Sequence, residues 1–149
     1  MDYQEERLED VREEIIPLLA LHWEDVALNK EDIILDPNWP VYDFMDAHNA
    51  LHITTARQQG VLVGYAVYLI SSWLHYKDRL LADGDIFWLA PEYRKGMTGV
   101  RLLKTAEKYL VARGVEYIVN KVKLHKDVGR IFEHLGYMPI ERVYAKRVG

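Results

Sequence analysis

Residues 85–99 read DIFWLAPEYRKGMTG, and this stretch decides the fold. Apolar and aromatic residues at 86–90 favour a strand, and Pro91 ends it. The next segment is basic and contains two glycines, and from Val100 onward apolar residues recur at helical spacing. The stretch therefore predicts a strand, a basic glycine-containing loop and a helix, in that order.

The loop between this strand and this helix is predicted to bind a phosphate-bearing ligand. Unpaired amides and the helix dipole converge at a helix N-terminus. Arg94 and Lys95 add positive charge, and Thr98 offers a hydroxyl. Gly96 and Gly99 have no Cβ, so ligand oxygens can approach the main chain. The residue order fits neither a P-loop nor a dinucleotide-binding fingerprint, so another phosphate ligand is expected.

The rest of the chain predicts the order β-β-β-α-β-α-β after an N-terminal helical part. A hairpin is predicted at 51–56 and 61–73, followed by a strand at 80–89. The other predictions are a first strand at 3–7, a helix from Leu8 that Pro17 kinks or divides, a short helix at 42–50, a helix from Val100 to Gly114, a strand at 115–124, a helix at 126–135 and a last strand at 137–147. No repeat or linker divides residues 1–149, so one domain is expected.

Composition excludes several kinds of site. The chain has no cysteine, so it can form no disulfide, no thiolate metal site and no cysteine nucleophile. Its start is not that of a signal peptide, and no apolar run reaches membrane-spanning length. A cytoplasmic protein without a membrane partner is therefore expected.

Charge is distributed unevenly along the chain. Residues 1–50 carry 14 acidic and 3 basic side chains, whereas the remainder carries 9 acidic and 16 basic ones. The basic part suits a phosphate-bearing ligand and the acidic part suits a cationic acceptor, although ordinary solvated faces give the same pattern. The net charge of −4 and the lack of a basic helix with interleaved aromatics argue against a nucleic-acid partner.

Residues 85–99 resemble the coenzyme A loop of the GNAT superfamily of N-acetyltransferases. The signature there is Arg/Gln-x-x-Gly-x-Gly/Ala. Arg94 and Gly99 match its first and last positions, while Met97 replaces the middle glycine and Gly96 precedes it by one. The resemblance implies an α/β (α+β) fold with a mixed, mostly antiparallel sheet of about six strands flanked by helices. Residues 21–27 are also similar to small tailed-phage members of the superfamily.

The resemblance also implies acetyl-CoA as co-substrate, without a metal. Phe87 and Leu89 would then offer backbone groups to the pantetheine arm, and the basic loop would hold the diphosphate. The complete implied donor-binding set is Phe87, Trp88, Leu89, Arg94, Lys95, Gly96, Met97, Thr98, Gly99, His125 and Arg130. For Phe87 and Leu89 a core-strand role is equally compatible, and for His125 and Arg130 so is plain surface placement.

Amine acetylation needs a base, an oxyanion donor and a means of protonating the departing thiolate. By resemblance, Asp85 is the candidate base, with Asp83 as the alternative. The candidate oxyanion donor is the amide of Leu89, where the family commonly carries a bulge. Phe132 stands where many family members have a tyrosine acid, so water, Tyr137 or another residue would protonate the thiolate.

The acceptor is expected to be a primary amine of a small molecule or of a protein. Large aromatic side chains could line its pocket or serve as core packing, namely Trp23, Tyr42, Trp73 and Tyr76. His48 and His52 have a metal-ligand spacing, but a predicted helix end separates them, so no metal site is expected. The alternative function is a catalytically weak CoA-binding or protein-interaction module. The sequence leaves a homodimer open.

Overall fold

The computed structural model describes all residues, 1–149. The strands are β1 (Asp2–Glu5), β2 (Leu51–Gln58), β3 (Val61–Trp73), β4 (Tyr76–Leu89) and β5 (Tyr117–Val119), and the helices are α1 (Leu8–Val26), α2 (Trp39–Ala47), α3 (Thr98–Ala112) and α4 (Gly129–His134). Short 3₁₀ turns lie at Pro91–Tyr93 and Leu124–Lys126. None of the helices combines the length and the apolar character needed to cross a bilayer.

The five strands form one mixed sheet in the order β1-β2-β3-β4-β5. Neighbours from β1 to β4 are antiparallel, and β5 joins β4 in parallel. Helices cover both faces, because each face of the sheet is apolar in its centre. Leu102, Leu103 and Phe132 of α3 and α4 pack on one face, and Val11 and Ile15 of α1 pack on the other. The predicted α/β fold with a mixed, mostly antiparallel sheet is confirmed.

The sheet has five strands rather than about six, because the strand predicted at 137–147 does not form. Residues 137–149 have no regular secondary structure, and Met138, Val143 and Tyr144 are largely exposed. Strand-forming residues become a strand only where a neighbouring backbone and a covered face are available. The strand predicted at 115–124 is likewise shorter, since β5 pairs with β4 over three residues only.

Helix α1 is not divided at Pro17, although division or a kink was predicted there. A proline inside a helix leaves the carbonyl four residues earlier, here that of Glu13, without its usual donor. Pro17 and Glu13 both lie on the exposed side of α1. Water can therefore replace the missing hydrogen bond, and the helix continues to Val26.

Strand β4 contains a bulge at Asp85. Val67 of β3 pairs with Ile86 and the next residue, Tyr68, pairs with Gly84, so Asp85 is an extra residue. Counted back from Phe87 and Leu89, which pack on the face covered by α3 and α4, strict alternation would direct Asp85 to that same face. A bulge re-aims side chains, and here it turns Asp85 towards the opposite face, where α2 lies.

Candidate active site

A gap opens between β4 and β5. The two strands pair only at 81–83 and 117–119, so residues 85–89 of β4 have no strand on that side. Gly84 lies where they part, since a Cβ there would meet the Val119 carbonyl and Asn120 Oδ1 at 3.0 Å. A small cavity of about 20 Å³ remains in the gap, between Asp85, Phe87 and Asn120.

Backbone groups of Phe87 and Leu89 face this gap. The amide of Ala90 donates to the carbonyl of Val63 at 2.8 Å, which makes these two residues a hydrogen-bonded pair. Bonded and non-bonded pairs alternate along an antiparallel ladder, so Phe87 and Leu89 direct their amides and carbonyls away from β3. The Leu89 carbonyl accepts a hydrogen bond from Arg94 Nε at 2.6 Å. The bulge predicted near Leu89 is at Asp85 instead.

The loop before α3 presents a row of free main-chain amides. No side chain caps α3 at Met97, and the amides of residues 95–100 donate to no main-chain carbonyl. Gly96 has φ +59° with nothing within 4 Å of a Cβ position, so the turn is left-handed and open. The Thr98 hydroxyl donates locally to the Lys95 carbonyl at 3.2 Å. Consecutive amides in such a turn, together with a helix N-terminus, make an anion-binding concavity.

Gly99 has a packing role that the sequence did not reveal. A Cβ at this position would lie 2.9 Å from Ile131 Cδ1 and 3.6 Å from the Phe87 ring. The missing side chain therefore allows α3 to approach α4 and β4 closely. Met97, in place of the signature's middle glycine, is half exposed at 46%.

Arg94 is engaged by Asp25 of α1, a residue that sequence reasoning did not select. The Asp25 carboxylate lies 2.5 Å from Arg94 Nη2 and 3.3 Å from Lys126 Nζ. The hydrogen bond from Arg94 and the nearby Lys126 hold the pKa of Asp25 below its usual range. The Arg94 guanidinium also lies over the Trp88 ring, 5.5 Å from its centroid. Arg94 is thus at the loop as predicted, but it is paired within the protein.

The other predicted donor-site residues lie around the same opening. His125 Nε2 lies 3.0 Å from the Val26 carbonyl and ties the segment after β5 to the end of α1. Lys95 is exposed beside Gly96, and Arg130 is exposed on α4. The α1 end, the basic loop and the segment at 125–126 therefore meet at one edge of the gap.

The bulge brings Asp85 to the hydroxyl of Tyr42 on α2. Tyr42 donates to Asp85 Oδ2 at 2.6 Å. Burial, together with this carboxylate, raises the pKa of Tyr42, so its hydroxyl keeps the proton and acts as the donor. Asp83, the alternative base, forms an ion pair with Lys121 at 2.6 Å.

A cavity of about 280 Å³ lies on the same face of the sheet, and we call it the α1/α2 cavity. It is enclosed by α1, α2, the segment 33–37 and the apolar side chains of β2, β3 and β4. Two of the four aromatic candidates for an acceptor pocket, Trp23 and Tyr42, line this cavity. Trp73 and Tyr76 do not line it: they pack together at the β3–β4 turn, with ring centroids 5.2 Å apart.

A buried histidine of α1 packs against the Trp88 ring. His22 of α1 stacks on the Trp88 ring, and its Nδ1 lies 3.0 Å from the Tyr65 hydroxyl. Burial is the main cause that lowers the pKa of His22 to about 4. The negative charge of Asp25 raises this pKa, and the positive charge of Arg94 lowers it further. The imidazole is therefore neutral at pH 7.

The family model described as "Acetyltransferase (GNAT) family" matches residues 12–137. The chain belongs to the GNAT acetyltransferase family. The match includes the basic loop, the bulged β4 and the gap beside it. No curated protein matches the chain.

Solved structures share the GNAT fold over nearly the whole chain. A ribosomal-protein-alanine N-acetyltransferase from Brucella melitensis biovar Abortus 2308 is 17% identical, with 99% of this chain and 100% of that chain covered and a TM-score of 0.73. An aminoglycoside N-acetyltransferase in complex with CoA is 13% identical, with 99% of both chains covered and a TM-score of 0.73. A predicted acetyltransferase from Clostridium acetobutylicum, with acetyl-CoA, is 12% identical, with 98% and 95% covered and a TM-score of 0.72. At these identities the likeness shows the fold.

Two further side chains of this GNAT protein border the gap. Asn120, just after β5, accepts from the Tyr68 hydroxyl at 3.0 Å, while its buried Nδ2 has no partner. Phe132, in place of the usual tyrosine, is buried and packs edge-on against Phe87 and Tyr137. Sequence reasoning missed Asn120, because only the parting of the two strands places it beside the gap.

His48 and His52, whose spacing is that of metal ligands, make separate contacts with different groups. His48 Nδ1 lies 2.7 Å from the Phe44 carbonyl at the end of α2. His52 is buried in β2 between Glu5 and Thr54, at 3.0 and 2.7 Å. No group of three His, Cys, Asp or Glu side chains is placed to hold a metal ion.

Proposed function

We propose that the chain is one acetyltransferase domain, residues 1–149, that transfers acetyl from acetyl-CoA to a primary amine of a small molecule or protein. The acceptor attacks directly in a ternary complex. One observation carries the proposal: six consecutive free amides at 95–100 lie at the end of β4, whose backbone faces an open gap. The basic loop and the gap together provide an anion site and a channel leading from it.

The residues present fit acetyl-CoA. Amides around Gly96, with Lys95, suit the diphosphate, and Phe87 and Leu89 suit the pantetheine arm. Asn120 lines the gap, and its unpartnered Nδ2 is an available hydrogen-bond donor there. From Leu89 back to Asp85 the strand spans roughly 14 Å at about 3.4 Å per residue. Thr98, Met97 and Trp88 border the path.

The basic side chains complete the proposed donor site. Arg94 binds phosphate once it leaves Asp25, since one guanidinium cannot serve both anions fully. His125 and Arg130 lie on the far side of the gap and contact the nucleotide end of the donor.

Acetyl-CoA supplies the activated acetyl carbonyl. The amine nitrogen attacks that carbon, a C–N bond forms, and the C–S bond breaks with its electron pair on sulfur. The proton lost by the amine passes through water to Asp85, which Tyr42 holds in place, or to Asp83 in the alternative. The oxyanion needs a donor beside the same carbonyl, and the Leu89 amide predicted from the sequence lies roughly 14 Å along β4 from Asp85. In this proposal the amide of Phe87, which also faces the gap and is nearer to Asp85, stabilises the developing oxyanion.

Water protonates the thiolate in this proposal. Burial and the nearby Glu107 raise the pKa of Tyr137, which makes it a poor acid for a thiolate. Phe132 has no hydroxyl to offer. A coenzyme A thiolate is a stable leaving group near neutral pH, so turnover does not require a protein acid.

A cytoplasmic location is part of the proposal, because acetyl-CoA is an intracellular metabolite and the chain contains no cysteine that would need an oxidising compartment. The resemblance to small tailed-phage proteins and a homodimeric state stay predictions.

The test is binding and turnover measured on the same preparation. Acetyl-CoA is expected to raise the melting temperature and to give a calorimetric binding isotherm. Thiol release is then expected to rise when primary amines are added. If millimolar acetyl-CoA gives neither heat nor a shift in melting temperature, the proposal is wrong.

A catalytically weak CoA-binding or protein-interaction module is the second candidate, and the buried Phe132 favours it. This candidate predicts thermal stabilisation by acetyl-CoA without thiol release for any amine. The two candidates therefore differ in turnover and agree in binding.

A further inference from the structure

The α1/α2 cavity has a composition unlike that of a pocket for a polar substrate. Thirteen of its 15 lining residues are hydrophobic, and Asp36 is the only charged one. Trp23, Trp39 and Tyr42 contribute aromatic surface. The single hydroxyl in the lining, that of Tyr42, already donates to Asp85.

We propose that this cavity binds the apolar part of the acceptor, and that the acceptors are small primary amines carrying an alkyl or aryl group. The inference rests on the proposed acetyltransferase function and names its substrate class. Tyr42 and Ile86 form the wall next to Asp85, so an amine whose apolar part fills the cavity presents its nitrogen to the proposed base and the gap.

The cavity discriminates against polar amines by desolvation. A hydroxyl placed among these side chains would lose its water without gaining a partner, which is costly. An alkyl or aryl group instead gains by leaving water. A volume of about 280 Å³ lies near the lower end of the range for ligand pockets, so it accommodates one small ligand.

The surroundings also suit the amine group. An ammonium ion entering an apolar cavity is disfavoured relative to the free amine, which is the form that attacks a carbonyl. Asp36 at the rim and the acidic N-terminal third attract the cation from solvent. The acidic residues outside the cavity therefore attract the ammonium ion, and the apolar lining inside it favours the free amine that reacts.

The rim of the cavity carries apolar side chains that the protein itself leaves uncovered. Ile33 and Ile34 are 60% and 80% exposed although both line the cavity, and Leu35 beside them is 37% exposed. A ligand with an apolar group would cover part of this surface.

The deciding experiment compares n-hexylamine with 5-amino-1-pentanol, which have the same chain length and differ in a terminal methyl or hydroxyl. With the full chain and saturating acetyl-CoA, thiol release is expected to give a kcat/KM for hexylamine at least about tenfold higher. Spermidine and kanamycin are expected to be poorer still. Equal or better efficiency with the polar amines would overturn the substrate class and leave acetyl transfer intact.

A variant at the cavity rim and a matched control test whether the preference for apolar amines arises in the α1/α2 cavity. Ile34→Ser is expected to lower kcat/KM for hexylamine about threefold through lost apolar contact, without changing the KM for acetyl-CoA. Leu74→Ser alters an even more exposed side chain, 99% against 80% for Ile34, at the β3–β4 turn outside the cavity, and should leave both constants unchanged. Equal effects of the two variants would remove the cavity from acceptor binding.

Failure of the proposed function gives a different result. If acetyl-CoA produces no thermal shift and no amine releases thiol, the acetyltransferase itself is wrong. If acetyl-CoA binds without turnover, the cavity assignment is tested by calorimetry, in which each of the two matched amines is titrated into the CoA-bound protein. Preferential binding of hexylamine then supports the cavity assignment, and equal or absent binding overturns it.

Discussion

At Asp85, one extra residue in β4 changes which face of the sheet a carboxylate reaches. The residue type and the resemblance suggested a base, but strict alternation counted back from Phe87 and Leu89 would have turned it towards α3 and α4. The bulge instead brings it within 2.6 Å of the Tyr42 hydroxyl. The proposed proton acceptor and the α1/α2 cavity consequently share one face.

Replacing Asp85 tests its proposed role directly. Asp85→Asn is expected to lower kcat by at least about 100-fold, because the amine's proton loses its acceptor. The Kd for acetyl-CoA should stay within about twofold, since Asp85 is remote from the anion loop. Stopped-flow thiol release and calorimetry measure the two quantities.

Asp83→Asn is the matched control, two residues away in β4 and paired with Lys121. It should retain most of the turnover. A larger loss in Asp83→Asn than in Asp85→Asn would assign the base to Asp83.

Gly96 offers a second residue-scale test because its φ of +59° is unfavourable for any residue with a Cβ. Gly96→Ala is expected to weaken acetyl-CoA binding at least about fivefold, because relaxing the strain of roughly 1–2 kcal/mol turns the free amides away from the ligand. The measurement is the calorimetric Kd.

Gly60→Ala provides the control, since Gly60 has φ +82° and equally open surroundings in the β2–β3 turn. Both variants should lose similar stability, whereas only Gly96→Ala should lose affinity. Equal affinity in both would show that the loop amides do not hold the donor.

At the scale of elements, the end of α1 lies beside the opening of the proposed donor site. Asp25 accepts from Arg94, and its other oxygen faces Lys126, so α1 contacts both sides of the gap. The Asp25 carboxylate is paired with the Arg94 guanidinium, which is the group that a phosphate of the donor would bind. Helix α1 thus lines the proposed acceptor cavity with its central residues, and its end competes with phosphate for Arg94 at the proposed donor site.

Releasing this contact should strengthen donor binding. Asp25→Asn is expected to lower the Kd for CoA by up to about fivefold, because an exposed ion pair contributes roughly 0–1 kcal/mol that binding would otherwise have to overcome. Glu24→Gln is the control: Glu24 precedes Asp25 in α1, and its ion pair is with Lys30. Weaker CoA binding in Asp25→Asn would mean that Asp25 positions Arg94 for the donor.

At the scale of the whole molecule, the face covered by α1 buries titratable groups that link stability to pH. His22 is 8% exposed, and Tyr65, Trp88, Asp25 and Arg94 surround it. Its pKa of about 4 in the folded protein lies below the unfolded value of 6.5. The unfolded chain therefore binds a proton first as the pH falls.

The resulting contribution of His22 is present above pH 6.5 and is lost as the pH falls towards 4. A lowering of this size corresponds to about 3 kcal/mol of unfolding free energy. Urea unfolding between pH 7 and pH 4 measures the loss. His22→Gln, which keeps a hydrogen-bonding group for Tyr65 and cannot titrate, should show a flatter dependence over this range. Parallel curves for the two proteins would contradict the assignment.

The amino-acid sequence by itself determined the features that depend on neighbouring residues. The strand, basic loop and helix at 85–99, the hairpin after Leu51 and the amphipathic α3 follow from local periodicity and turn residues. Each of these features is encoded within one continuous segment of the chain, the longest being the hairpin at 51–73, and the structure reproduces them.

Only the tertiary structure decided the features that need two distant segments. The missing strand at 137–147, the bulge that redirects Asp85, the pairing of Arg94 with Asp25 and the orphaned amide of Asn120 all depend on what lies opposite in space. The α1/α2 cavity likewise forms where two helices meet three strands. Local sequence sets which conformations a segment prefers, but burial and pairing energies come from partners that the segment does not contain.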